Sequence, residues 1–219
     1  MALQLSLQTL QIGKTSVSLL VPDDQSVLEE YRKRFLENNQ TPFPYWAKIW
    51  PASIALSVFL DKNPAYYAGS QVMELAAGLG LPSLVAARKA ANVNCTDYMQ
   101  EAVTVIQQSA QYNRLTNLQS SVLDWNVIPS EKKADVILLS DINYDPEDFK
   151  QLDRLVRTFL HLNMTVILST PQRLMAKPFI SGLMEYSSHQ ESIPVLQNSE
   201  EIFISVLVLK SISTHIGPG

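Results

Sequence analysis

The sequence predicts an α/β fold: a Rossmann-like parallel sheet with helices on both faces, closed by a C-terminal antiparallel hairpin and preceded by an N-terminal β-hairpin and helices. Three observations predict it. From residue 71, apolar strand-like runs alternate with longer helical patterns, the order that builds a parallel sheet. The run Val72-Met73-Glu74-Leu75-Ala76-Ala77-Gly78-Leu79-Gly80-Leu81-Pro82 passes from strand to helix through small residues. At such a corner the backbone can approach a nucleotide, with a helix N-terminus beside it. Finally, the run 202–209 is strongly strand-like and follows 191–195 across the polar loop Gln197-Asn198-Ser199-Glu200, which predicts the closing hairpin.

The elements follow in order. Residues 3–20 hold two alternating runs on either side of Gly13-Lys14, hence a hairpin. Pro22-Asp23-Asp24 starts a helix with Asp as N-cap, and Leu28, Tyr31, Phe35 and Leu36 give it an apolar face. Prolines 42, 44 and 51 exclude ordinary helix from the aromatic segment between Thr41 and Pro51. A helix spans 52–60. Strands fall near 71–75, 92–96, 119–123, 135–140 and 164–169, and helices near 82–90, 99–113, 146–160 and 176–187. The chain divides into an extension (1–40), the α/β domain (41–210) and a tail (211–219).

Bulk properties narrow the function. A chain of 219 residues suits one α/β domain with a full core. A net charge of −4 without any Lys/Arg run argues against a nucleic-acid binder held by phosphate contacts. The single cysteine, Cys95, excludes an internal disulfide and reads as a buried strand thiol. His161, His189 and His215 are too scattered for a metal site, so no metal is expected. No signal peptide and no bilayer-spanning run is apparent, so a soluble, cytoplasmic setting away from membranes is expected.

Candidate site residues sit where strands end. Glu74 is a carboxylate beside the corner, suited to a cationic cofactor tail, or else a solvated strand-end acid. Ala76, Gly78 and Gly80 are the small positions of the turn. Asp97, after the second strand, suits ribose hydroxyls, and it also suits a helix N-cap. Tyr98 beside it offers a ring to adenine. Asp124 and Trp125 after the third strand suit the adenine amine and face; an ordinary turn acid and a core tryptophan are the alternative. Ser140, Asp141 and Tyr144 follow the fourth strand, where a doubly wound sheet places its reacting ligand. Asp145 reads as a helix cap. Trp46 and Trp50 are either core or a cover over the ligand. Arg173 either lines the acceptor pocket or is a solvated loop charge.

These residues resemble the seven-β-strand S-adenosylmethionine-dependent methyltransferases, and within them the lysine methyltransferase branch called family 16. The resemblance covers roughly residues 41–209. It rests on Pro44-Tyr45-Trp46-Ala47-x-x-Trp50-Pro51, Glu74-Leu75-x-x-Gly78-x-Gly80-Leu81-Pro82, Leu123-Asp124-Trp125 and Asp141-x-x-Tyr144. The Trp-x-x-x-Trp-Pro segment is most similar to the electron-transfer-flavoprotein β-subunit lysine methyltransferases and their bacterial relatives. The resemblance implies cofactor-binding roles for Trp46, Glu74, Ala76, Gly78, Gly80, Asp97, Tyr98, Asp124, Trp125 and Ser140. It implies catalytic or substrate-placing roles for Asp141 and Tyr144. It departs at Ala76, where Gly is commoner and positive φ is disfavoured. The expected protein is a monomeric N-methyltransferase that uses S-adenosyl-L-methionine on a protein lysine. A small-molecule N-methyltransferase and a non-catalytic cofactor-binding module are the alternatives. A nicotinamide dehydrogenase would leave the C-terminal hairpin and Asp124-Trp125 without a role.

Overall fold

The chain begins with the hairpin that the alternating runs predict. β1 (Leu5–Ile12) and β2 (Thr15–Pro22) pair antiparallel, with Leu5 opposite Pro22 and Ile12 opposite Thr15. The computed structural model describes residues 3–128, 134–143 and 145–211. α1 (Asp24–Glu37) follows, and its N-cap Asp23 accepts from the Ser26 amide at 2.8 Å. The apolar face assigned to this helix is largely uncovered. Val27 is its one buried residue, whereas Leu28 and Phe35 are exposed and Leu36 is 88% exposed. The predicted stripe has the right period, but the main sheet does not lie under it.

The aromatic segment is not an α-helix, as its prolines require. It makes one tight turn at Tyr45–Ala47 and then enters α2 (Pro51–Lys62), with proline in the tolerated first turn. The sheet begins at β3 (Gln71–Leu75). α3 (Leu81–Ala86), β4 (Asn92–Asp97), α4 (Gln100–Tyr112), β5 (Leu118–Val122), β6 (Val136–Ser140), α5 (Phe149–His161) and β7 (Thr165–Pro171) alternate after it. α6 (Lys177–Leu183), β8 (Ser187–Gln197) and β9 (Glu200–Leu209) complete the chain. α3 is shorter than the predicted 82–90, and turns fill the remainder.

The sheet order is β5-β4-β3-β6-β7-β9-β8. The first five of these strands are parallel, and β9 runs antiparallel between β7 and β8. The chain therefore moves outward from β3 to β5 and then returns to the other side of β3. That reversal opens a crevice above the C-terminal ends of β3, β4 and β6. Alternation sorts each strand onto two cores. Val72, Val136, Leu138, Val206 and Val208 face α2, α3, α4 and the hairpin, whereas Met73, Leu75, Ile137, Leu139 and Leu207 face α5 and α6.

The N-terminal hairpin belongs to the first of these cores. Val17 and Leu19 are fully buried in it. Ser109 Oγ accepts from the Leu20 amide at 3.0 Å. The buried Asn113 takes the Ser18 amide at 3.0 Å and returns its own amide to the Ser18 carbonyl. Asn113→Ala should leave the Ser18 groups without these partners. We expect a loss of about 1–3 kcal/mol in urea unfolding, with one transition for hairpin and sheet together. Two separate transitions would show that the hairpin folds independently.

Candidate active site

The crevice is a cleft of about 600 Å³ bounded by the corner after β3, the ends of β4 and β6, and the aromatic segment before α2. Of the predicted site residues, Trp46, Ala76, Gly78, Gly80, Asp97, Tyr98, Asp124, Trp125, Ser140 and Asp141 all line it. Tyr144 lies outside the described residues.

The corner is a run of left-handed residues. Ala76, Gly78 and Gly80 have φ of +50°, +57° and +72°. Gly80 also packs tightly, since a Cβ there would come within 3.0 Å of Cys95 Sγ and of Ile106. At Gly78 a Cβ would sit 3.2 Å from the Trp46 carbonyl oxygen. Ala76 takes its strained conformation without glycine's freedom. Backbone bonds hold the turn: Ala77 N–H donates to the Thr96 carbonyl at 2.9 Å and Gly80 N–H to the Ala77 carbonyl at 2.8 Å.

Glu74 corrects the sequence reading. It does not line the cleft, and it is not solvated either. Alternation along β3 turns it to the same side as Val72, under α3, where it is fully buried. Its Oε2 accepts from the Ser83 amide at 2.9 Å and the Ser83 hydroxyl at 2.5 Å, while Oε1 is buried with no partner among the described residues. Its role is to anchor the first turn of α3. Burial pushes its pKa up to about 8, opposed by the Ser83 bonds and assisted by Asp97.

Asp97 does line the cleft and is only 5% exposed. Its oxygens accept from the Gly78 amide and the Met99 amide, each at 2.9 Å. The N-cap residue of α4 is Met99, so Asp97 ties the glycine corner to the turn before that helix. Burial raises its pKa, against the backbone bonds that lower it. A carboxylate has about four acceptor sites, so capacity remains for hydroxyl groups. Tyr98 is half exposed on the cleft wall, and Trp125 sits half-buried with its other side on the α5 core. Asp124 accepts from the Asn126 amide at 2.9 Å, so it shapes its own turn as well as lining the cleft.

At the far end, Asp141 lies just past β6 with φ +55° and is 8% exposed. Its N–H donates to the Ser169 carbonyl at 3.0 Å, which extends the β6–β7 pairing by one residue. Arg173 places both guanidinium Nη atoms on the two Asp141 oxygens, so it lines the pocket and is not a solvated loop charge. Asp145 is a cap, accepting from the Glu147 amide at 2.9 Å.

Sequence reasoning missed several residues here. Asn143 is fully buried and donates to Thr170 Oγ at 2.9 Å, pinning the loop after β6 to the end of β7. Asp148 lines the cleft, and burial together with Asp145 and Glu147 raises its pKa. Phe43, Tyr45 and Ile49 form the roof with Trp46 and Trp50. Trp46 is both core and wall; Trp50 lines the cleft and donates its indole N–H to the Tyr45 carbonyl at 2.8 Å. The density of aromatic residues before α2 was the available signal for the roof. Nothing local signalled Asn143 or the Arg173 pairing.

The sheet order and the cleft define the methyltransferase class of Rossmann-like folds. Two solved structures share the fold. N-methyltransferase NodS from Bradyrhizobium japonicum, in complex with S-adenosyl-L-homocysteine, superposes with a TM-score of 0.58 at 14% identity, over 82% of this chain and 97% of its own. The Pyrococcus abyssi tRNA (uracil-54, C5)-methyltransferase gives 0.58 at 12% identity, over 93% and 44%. The lysine methyltransferase family model matches residues 32–186, and the chain belongs to that family. Human histone-arginine methyltransferase METTL23 is 32% identical over 54% of this chain and 65% of its own length. The Danio rerio electron transfer flavoprotein beta subunit lysine methyltransferase is 33% identical over 58% and 49%. The chain thus spans about half to two thirds of the length of these relatives.

The site fits the S-adenosylmethionine that the family uses. Gly78 leaves backbone open to a ligand beside Trp46, Asp97 keeps acceptor capacity, and Tyr98 and Trp125 offer ring faces. Ser140 Oγ is shielded on the cleft wall and has no hydrogen-bond partner among the described residues. Gly78→Ala, whose Cβ would press on the Trp46 carbonyl and shift that part of the cleft wall, should weaken S-adenosylhomocysteine binding roughly 5- to 30-fold by calorimetry. Unchanged affinity would remove Gly78 from the cofactor wall.

Glu74 generates a pH prediction. Its folded pKa lies above the unfolded value, so the unfolded chain loses the proton first. Stability should fall from about pH 4.5 to about 8 and then level off. Denaturant unfolding at pH 5 and pH 8 should show a loss on the order of a few kcal/mol, largely absent in Glu74→Gln. An equal slope in the variant would assign the pH dependence to other groups.

Proposed function

We propose that the protein transfers the methyl group of S-adenosylmethionine to a lysine side chain of a protein. The observation that carries this is Asp141. It is a nearly buried carboxylate at the end of β6, on the cleft wall, and it already holds a cationic side chain. A nitrogen acceptor that arrives as a cation meets an anion placed to receive it.

When bound, the cofactor supplies an electrophilic methyl on a sulfonium leaving group; the chain supplies placement and dryness. A lysine with a pKa near 10.4 is neutral in only about one molecule in a few thousand at pH 7. Enclosure by Trp50, Tyr45 and Ile142 disfavours the ammonium, and Asp141 orients the amine and accepts its proton directly or through water. Family membership and the lysine-methylating relatives support this acceptor. The guanidinium already seated on Asp141, together with the arginine-methylating relative, supports arginine as a second reading.

Labelled S-adenosylmethionine incubated with fractionated lysate of the source cell should mark a discrete protein band. Acid hydrolysis of the band should yield methyl-lysine. Asp141→Ala should lower transfer by about 100-fold or more while S-adenosylhomocysteine binding stays within a few-fold. Methyl-arginine would favour the second reading. Label confined to small molecules would indicate a metabolite enzyme, and cofactor binding without transfer a binding module.

A further inference from the structure

Arg157 and Arg173 both hold carboxylates through their guanidinium groups, and they differ in kind. Arg157 is braced by Asp153, Glu185, the Tyr186 hydroxyl and the Gly182 carbonyl, with Tyr186 also under its guanidinium. It is a strut between α5 and the segment after α6. Arg173 sits on the turn after β7, in the cleft, with its side chain 30% exposed. Among the described residues its guanidinium hydrogen bonds go to Asp141 alone. It reaches 32 positions back along the chain to do so, across the ends of β6 and β7. Asp141 in turn is held by its backbone to Ser169, which fixes where its side chain leaves the chain.

We propose that Arg173 is an internal stand-in for the acceptor, seated on Asp141 until the substrate's cationic side chain displaces it. The inference rests on the reading of Asp141 as the acceptor's anion. A carboxylate with both oxygens forked by a guanidinium has little to offer a second cation, and the two cations would repel. Displacement removes both obstacles, and the Arg173 side chain, with one ion-pair partner among the described residues and 30% exposed, can swing outward while backbone bonds hold its turn. The exchange also selects acceptors: a neutral hydroxyl or carbon acceptor gains nothing from replacing Arg173, whereas an ammonium or guanidinium restores the pair.

The test is direct binding of n-butylammonium, a lysine side-chain analogue, to protein saturated with S-adenosylhomocysteine, followed by NMR titration. Arg173→Ala should bind the probe about tenfold or more tightly than the native protein, because a charge-assisted competitor is gone. Lys48→Ala removes the same unit charge from the same cleft and sets the scale of a general field effect. The gain should exceed that scale and vanish in the double variant Arg173→Ala/Asp141→Asn. Arg173→Gln, which keeps length without charge, should reproduce the gain and serves if the alanine variant does not fold. A gain no larger than that of Lys48→Ala, or one that survives Asp141→Asn, overturns the proposal. Methyl transfer is not read in this experiment, so its outcome and that of the lysate labelling are independent.

Discussion

Burying a carboxylate is costly unless donors answer it, and this fold buries one fully at Glu74 and a second almost fully at Asp97. Among the described residues Asp97 is answered on both oxygens, Glu74 on Oε2 alone, and burial raises the Glu74 pKa to about 8. Ser83 at the start of α3 takes Glu74, and the amides of Gly78 and Met99 take Asp97. These bonds tie the strand end, the glycine turn and two helix starts into one unit. The left-handed backbone at Ala76, Gly78 and Gly80 is the shape that allows the connections. The cleft floor is therefore set by backbone geometry before any ligand arrives, which is the preorganisation that a cofactor site needs.

The acceptor end follows a different rule. Asp141 is a non-glycine residue in left-handed backbone, a conformation that persists where the surroundings over-determine it. Here the Ser169 carbonyl holds its amide, Asn143 pins the next turn to Thr170, and Arg173 grips the side chain. Two of these three holds use backbone or buried groups. The third is a side chain that lines the cleft and stays partly exposed.

The hairpin and α1 show how far periodicity carries. β2 alternates so that Val17 and Leu19 enter the core, while Ser18 pairs with Asn113. α1 has an equally regular stripe that the fold leaves mostly uncovered, apart from Val27 and a run of ring contacts. Tyr31 meets Phe43 at 5.2 Å, and Phe43 meets Tyr45 at 4.8 Å. Those rings lead from the helix to the roof of the cleft.

The sequence by itself determined what depends on near neighbours. Alternation located the strands, small residues located the corner, prolines excluded helix from the aromatic segment, and acids after strand ends marked Asp97, Asp124 and Asp141 as the cleft wall. Each is a local rule of backbone conformation. Tertiary structure decided what depends on distant partners. Glu74 looked like a cleft residue because it stands next to the turn, but the pleat of β3 sends it beneath α3. Arg173 was undecided between pocket and solvent because its partner lies 32 residues away, and pairing at that range comes only from laying β7 beside β6. Asn113 and Ser18, 95 positions apart, meet for the same reason. Spacing along the chain carries no information about such pairs, since they are set by which faces of strands and helices pack together.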